Sequence, residues 1–237
     1  MRDLAGGQAP EIQRPLTCDR MRKTVTPRSS RFGGEAISLY GTHGERKYLN
    51  RYERGRALEA MDRLEVHQSM FAQVLAWTGA RVSEVLALTP RSFQIESGIV
   101  TIVTLKRRKL HVREVPLPPT LMASLVRVFG LRHLQGDSFA RQRIWAFGRM
   151  TAWRIIKRVM SIAGVRGPQA CPKGLRHAFG VCSLQSGVPI NLVQRWMGHA
   201  RLSTTAIYLD VSGPEEMSFA RRFWSTELSI RSAHGYA

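Results

Sequence analysis

The chain has 237 residues, 43% hydrophobic and 22% charged, which suits one ordinary globular domain with an extension. Lys and Arg number 36 against 17 Asp and Glu, so a formal net charge of +19 opposes compaction unless a polyanion offsets it. Nucleic acid is the expected partner, with a merely basic protein or a membrane-surface binder as alternatives. The three cysteines exclude a disulfide framework and a zinc site of CxxC spacing.

Residues 1–46 contain Gly6-Gly7, Gly33-Gly34, Pro10, Pro15 and Pro27 and show poor apolar periodicity. They read as a basic extension or flexible arm that orders on DNA, with a small helical hairpin as the alternative. No apolar run here or later approaches membrane-spanning length, and the N-terminus lacks a signal-peptide core. A cytoplasmic, metal-free protein is expected, in keeping with the cysteine usage. Most of the positive excess lies beyond this stretch: residues 61–237 carry 24 Lys and Arg against 10 Asp and Glu. That favours a shaped basic surface over a sticky arm.

Patterning starts near Lys47. Tyr52, Leu58, Met61 and Leu64 predict an amphipathic helix over 50–64, and residues 67–78 a more buried one ended by Gly79. A further helix with Val82, Val85, Leu86 and Leu88 as its stripe runs to Pro90. Residues 98–104 and 110–115 then read as two strands, rich in β-branched residues. The tip between them, Lys106-Arg107-Arg108-Lys109, is either a solvated turn or a phosphate contact. Helices follow over 120–129 and 150–163, the second made basic by Arg154, Lys157 and Arg158, which are candidate DNA contacts. Pro172 opens a helix over 172–186, and Pro189 opens the next, stopped by Gly198. Ser203-Thr204-Thr205 opens a short helix expected to contain Tyr208. Residues 215–228 form a last amphipathic helix with Phe219, Phe223 and Trp224. The expected fold is mainly α with a small antiparallel β-sheet (α+β).

Two places carry chemistry. Lys173, Arg176 and His177 fall at i, i+3 and i+4 and so share a face, with Leu175, Phe179 and Cys182 on the other side. Positive groups in a first turn oppose the helix dipole and make sense beside an anion. Arg81 follows a break between two apolar helices, with Glu84 three residues on as an orienting carboxylate or a purely structural partner.

Residues 78–88, Thr-Gly-Ala-Arg-Val-Ser-Glu-Val-Leu-Ala-Leu, resemble the first signature of the tyrosine recombinases, also called the phage integrase family. Lys173-Gly174-Leu175-Arg176-His177 resembles the second. Trp196-Met197-Gly198-His199 and Thr204-Thr205-Ala206-Ile207-Tyr208 resemble the last two. The resemblance covers roughly residues 47–225, so a tyrosine recombinase catalytic domain is expected over 47–237.

The resemblance implies that Arg81 and Arg176 clamp a scissile DNA phosphate, that His199 adds a hydrogen bond and that Tyr208 is the nucleophile. Guanidinium gives a phosphate fixed paired donors. A dense positive site is expected to favour phenolate character at Tyr208. The product is a 3′-phosphotyrosyl bond and a free 5′-hydroxyl, with no metal, ATP or other cofactor. A hairpin lysine protonates the leaving oxygen; Lys106 is the first choice and Lys109 the rival. Lys173 stands where the family usually has histidine, and His177 is a supporting group or a direct participant. Only 46 residues precede the catalytic region, where many relatives have a separate helical domain. The implied partners are double-stranded DNA, a homotetramer on DNA from a monomer or weak dimer alone, and an accessory DNA-bending protein. A type IB topoisomerase and a catalytically silent DNA-binding regulator remain the alternatives.

Overall fold

The computed structural model describes residues 38–104, 111–136, 138–211, 220, 221 and 223–225. Among them, twelve regular elements follow one another. They are α1 (Arg51–Met61), α2 (Val66–Thr78), α3 (Val82–Val85), β1 (Phe93–Gln94), β2 (Ile99–Thr104), β3 (His111–Pro116), α4 (Pro119–Phe129), α5 (Leu131–Gln135), α6 (Arg149–Ile162), α7 (Pro172–Gln185), α8 (Ile190–Met197) and α9 (Ser203–Ala206). The α+β expectation holds: the helices are joined by a three-stranded antiparallel sheet in the order β1-β2-β3, one face of which is turned to the core.

Local chemistry sets most boundaries. Asn50 caps α1 in a capping box with Glu53, which satisfies two free backbone donors at once. Gly79, Gly130 and Gly198 end α2, α4 and α8 in the left-handed conformation. In the hairpin, Thr104 pairs with His111 and Val100 with Val115. Alternation then turns Val100, Ile102, Thr104, Arg113 and Val115 to the core.

Several expectations are corrected. The helix read from Val82 to Pro90 is only four residues long; Pro90 instead opens a 3-10 turn, Pro90–Ser92. A third strand, β1, was not expected, because two residues carry no alternation to read. Residues 38–46, read as part of the extension, are folded: Tyr40 bridges Arg46, and Leu39 is buried. The short helix after Ser203 ends at Ala206, so Tyr208 lies in the turn behind it. Of the last expected helix, residues 220, 221 and 223–225 are helical, with Phe223 and Trp224 exposed. Lys106, Arg107, Arg108 and Lys109 lie outside the described residues. No helix among the described residues is long and apolar enough to cross a membrane.

Two apolar clusters share α7. The larger one joins α1, α2, α4, α6 and the sheet to Leu175 and Ala178. The smaller one joins Leu39, Tyr48, Phe179, Val181, Val193 and Met197 to Tyr208 itself. The tyrosine is therefore held by a core of its own.

Candidate active site

The site grows from three helix termini. Thr78 returns its hydroxyl to the Val74 carbonyl, 2.7 Å away, and Gly79 then turns the chain with φ +59. A Cβ at Gly79 would stand 2.3 Å from the Phe179 ring, so only glycine allows α2 and α7 to meet here. The turn delivers Arg81 in extended backbone at the N-cap of α3. Glu84 accepts from the Arg81 backbone at 2.8 Å and from its guanidinium at 2.9 Å.

Glu84 is buried and does more than orient Arg81. The oxygen that takes the Arg81 backbone N–H, Oε2, also accepts from Arg113 at 2.7 Å. The Arg113 side chain is fully buried, and also donates to Thr104 Oγ1 at 2.9 Å and to the Trp196 carbonyl at 2.7 Å. Arg113 was missed in the sequence, although a signal was there. It sits two residues before Val115, on the core-facing side of β3, and a charge in such a place demands partners.

The C-terminus of α8 is the second terminus. Its free carbonyls form the negative end of the helix dipole. Arg113 takes the Trp196 carbonyl and Arg176 Nη2 takes that of Met197 at 2.7 Å. Arg176 Nη1 also donates to the Gly79 carbonyl. A Cβ at Gly198 would stand 3.0 Å from Arg113, so the Gly-His pair of the motif serves close approach as well as the turn. His199 follows directly. Its Nδ1 lies 2.9 Å from Thr205 Oγ1 in the third element, the short helix α9. Its ring stacks on Tyr208, with centroids 6.2 Å apart at 22°.

Arg81, Arg176, His199 and Tyr208 thus come together. His177 does not share an exposed face with Lys173. It turns inward, is buried, and places Nδ1 3.0 Å from the Tyr208 hydroxyl, while among the described residues its Nε2 has no partner. Lys173 is exposed and makes no hydrogen bond or ion pair among the described residues. Arg154, Lys157 and Arg158 all lie on the exposed side of α6, with Lys157 donating to the Ala170 carbonyl at 3.0 Å. Gly180 also escaped the sequence reading: a Cβ there would stand 2.6 Å from the Tyr208 ring.

The expected phenolate is not what this state holds. Burial pushes Tyr208 up to about 12, against the downward pull of Arg176 and Arg81. Burial likewise lowers Arg176 to about 10, with Arg81 adding to the shift. It also lowers His177 to about 4, helped by Lys173, Arg176 and Lys47, and His199 to about 3, helped by Arg176 and Arg81. Both histidines are neutral in the folded protein at physiological pH.

A stability trend follows. An unfolded histidine titrates near ~6.5, so below that pH the unfolded chain binds protons that the folded chain refuses. Stability should be level above about pH 6.5 and fall as pH drops toward the folded values. Each histidine is expected to cost about 2 kcal/mol between pH 7 and 5. Urea unfolding at both pH values checks this, and His199→Gln should remove about half of the difference. An unchanged difference in that variant would contradict the assignment.

The family model described as phage integrase family matches residues 47–214. The tyrosine recombinase XerA of Pyrococcus furiosus is 30% identical over 70% of this chain and 58% of its own length. The tyrosine recombinase XerD of Shewanella oneidensis is 32% identical over 64% of this chain and 51% of its own. The chain therefore spans between half and three-fifths of these relatives. A crystal structure of the XerH site-specific recombinase, a post-cleavage complex with its palindromic difH substrate, superposes with a TM-score of 0.62. It is 26% identical and covers 81% of this chain and 57% of its own.

Proposed function

The chain belongs to the phage integrase family, and from that premise we propose that it is a site-specific DNA recombinase acting through Tyr208. The observation that carries the reading is the convergence of Arg81, Arg176 and His199 on one buried tyrosine. Double-stranded DNA is the substrate, cut and rejoined through a 3′-phosphotyrosyl bond. Four protomers assemble on it from a monomer or weak dimer, because exchange between two sites involves four strand cuts.

Phosphoryl transfer is accelerated mainly by positioning and charge stabilisation. Arg176 is anchored at both ends to backbone carbonyls, and Arg81 is held by Glu84. Both guanidiniums are preorganised before DNA arrives, so little order is lost on binding. His199 is oriented by Thr205, which aims its other nitrogen. The Tyr208 oxygen attacks phosphorus as the bond to the 5′ oxygen breaks. Lys106, two residues beyond the site residue Thr104, gives the leaving oxygen its proton; Lys109 is the rival.

The tyrosine proton goes to His177. A charged lysine at position 173 has donors only, so it cannot accept it. His177 Nδ1 already touches the hydroxyl as a neutral ring. An incoming phosphate brings the negative charge that raises the histidine, and the ring takes the proton as the Tyr208 oxygen bonds to phosphorus. The basic face of Arg154, Lys157 and Arg158 holds the duplex backbone, which makes affinity strongly salt-dependent.

A suicide DNA substrate carrying the cognate site tests this. Wild type should accumulate a covalent protein–DNA adduct, and no adduct on any cognate site would reject the reading. In the same assay His177→Phe should slow adduct formation more than Lys173→Ala does; the reverse order would return the proton to position 173. Gly180→Ala is a sharper geometric probe. Alanine favours a helix by about 1 kcal/mol over glycine. Here its methyl would meet the Tyr208 ring. Helix content should hold while cleavage falls about a hundredfold. Unchanged cleavage would show that the ring has room to move.

A further inference from the structure

Apart from the tyrosine site, the described residues line an open cavity of about 680 Å³ between α1, the last turns of α7, the end of β3 and Trp196. Its volume lies in the range of small-molecule sites, roughly 300–1,000 Å³. Its walls are apolar and aromatic: Leu58, Trp77, Leu117, Phe179 and Trp196. Among the described residues no acidic side chain lines it, whereas two arginines do, Arg51 at the exposed rim and Arg54 within.

Arg54 is unusual for a buried cation. It is 8% exposed and pairs with no carboxylate among the described residues. Nη2 donates to the Ala76 carbonyl at 3.2 Å, and the guanidinium lies 4.8 Å from the centre of the Trp77 ring. Among the described residues Nε has no partner, and Nη1 makes no hydrogen bond either. Buried charges are ordinarily paired, because an isolated one costs several kcal/mol. A carbonyl and a ring face offset only part of that. The missing component is an anion, and the walls around it ask for an apolar body attached to it.

We propose that this cavity is a binding site for a small organic carboxylate with an apolar or aromatic body, its carboxylate on Arg54 and its body between Trp77 and Trp196. Arg51 at the rim draws the anion in, and Ser183 and Ser186 offer hydroxyls on the α7 side. The site uses none of the residues assigned to strand transfer, so it stands whether or not the chain cleaves DNA.

The test uses 4-phenylbutyrate, its neutral analogue 4-phenylbutyramide, and inorganic phosphate on the full chain. Hydrogen bonds to charged groups are worth about 1.5–3 kcal/mol, so calorimetry should show the carboxylate binding about tenfold or more tighter than the amide. The indole N–H signals of Trp77 and Trp196 should move on titration, and that of the distant, buried Trp145 should not. Phosphate alone should leave all three in place, because it lacks the apolar body. Arg54→Met keeps the volume and removes the charge. It should abolish the preference for carboxylate, with a Tm equal to or above that of wild type, since no counter-ion is left stranded. The proposal fails if the two phenyl probes bind wild type equally, if neither moves the Trp77 and Trp196 signals, or if phosphate moves them as far. A marked loss of Tm in Arg54→Met would make Arg54 a structural cation. The comparison of probes on wild type stands even if that variant does not fold.

Discussion

Tyr208→Phe is expected to abolish the covalent protein–DNA adduct completely while DNA binding persists. The substitution deletes one oxygen and leaves the ring in its cluster of Leu39, Tyr48, Val193 and Met197. Neither arginine of the clamp loses a hydrogen-bond partner, because both are held by Glu84 and by backbone carbonyls. The cost to the fold is limited to His177 Nδ1, which loses its partner in a buried place. That is worth about 1–3 kcal/mol. Salt-dependent DNA retention by gel shift and adduct formation on a suicide substrate separate the two roles. Residual adduct in the phenylalanine variant would mean that another side chain is the nucleophile.

Glu84→Ala carries the largest expected effect on stability. The carboxylate is 2% exposed and holds two cations, one of them on a side chain with no exposure. Burial alone would raise its pKa, yet Arg113 and Arg81 keep it below the usual carboxylate range. Removing it strands Arg113 in the core with only Thr104 and a carbonyl as partners. Breaking a buried pair from one side costs about 3–5 kcal/mol. For a domain of this size that lowers Tm by roughly 10 °C. Urea unfolding measures it directly. Glu84→Gln keeps the volume and one acceptor, and should fall between alanine and wild type. A loss under about 1 kcal/mol in the alanine variant would show that Arg113 does not depend on the carboxylate. Since Glu84 also aims Arg81, cleavage should fall even at temperatures where the variant is fully folded.

Much of this was legible in order of residues alone. Apolar periodicity located most helices of the fold to within a few residues, and β-branched runs located the hairpin. Glycine and proline marked the stops for reasons of backbone geometry that act locally. The motif residues Arg81, Arg176, His199 and Tyr208 were named from their flanks. By contrast, Arg113 read as one more strand charge, and Gly180 as a neutral helix position. His177 read as the neighbour of Lys173 on a basic face. Their roles depend on side chains far away in the chain: Arg113 meets Trp196, and Gly180 and His177 meet Tyr208. Residues 38–46 escaped because a bridged turn has no period, and its buried Leu39 is recognisable only against the cluster it joins.

What the sequence by itself determined is the family, the α+β architecture and the identity of the cations around the tyrosine. These follow from local propensity and from residue types whose chemistry is the same wherever they are placed. Only the tertiary structure decided the protonation of the site. Tyr208 and Arg176, about thirty residues apart, share one buried space, and there desolvation outweighs the attraction of two arginines. The tyrosine is held as a protonated phenol on a neutral histidine. Burial is a property of the whole packed chain, so no motif announces it.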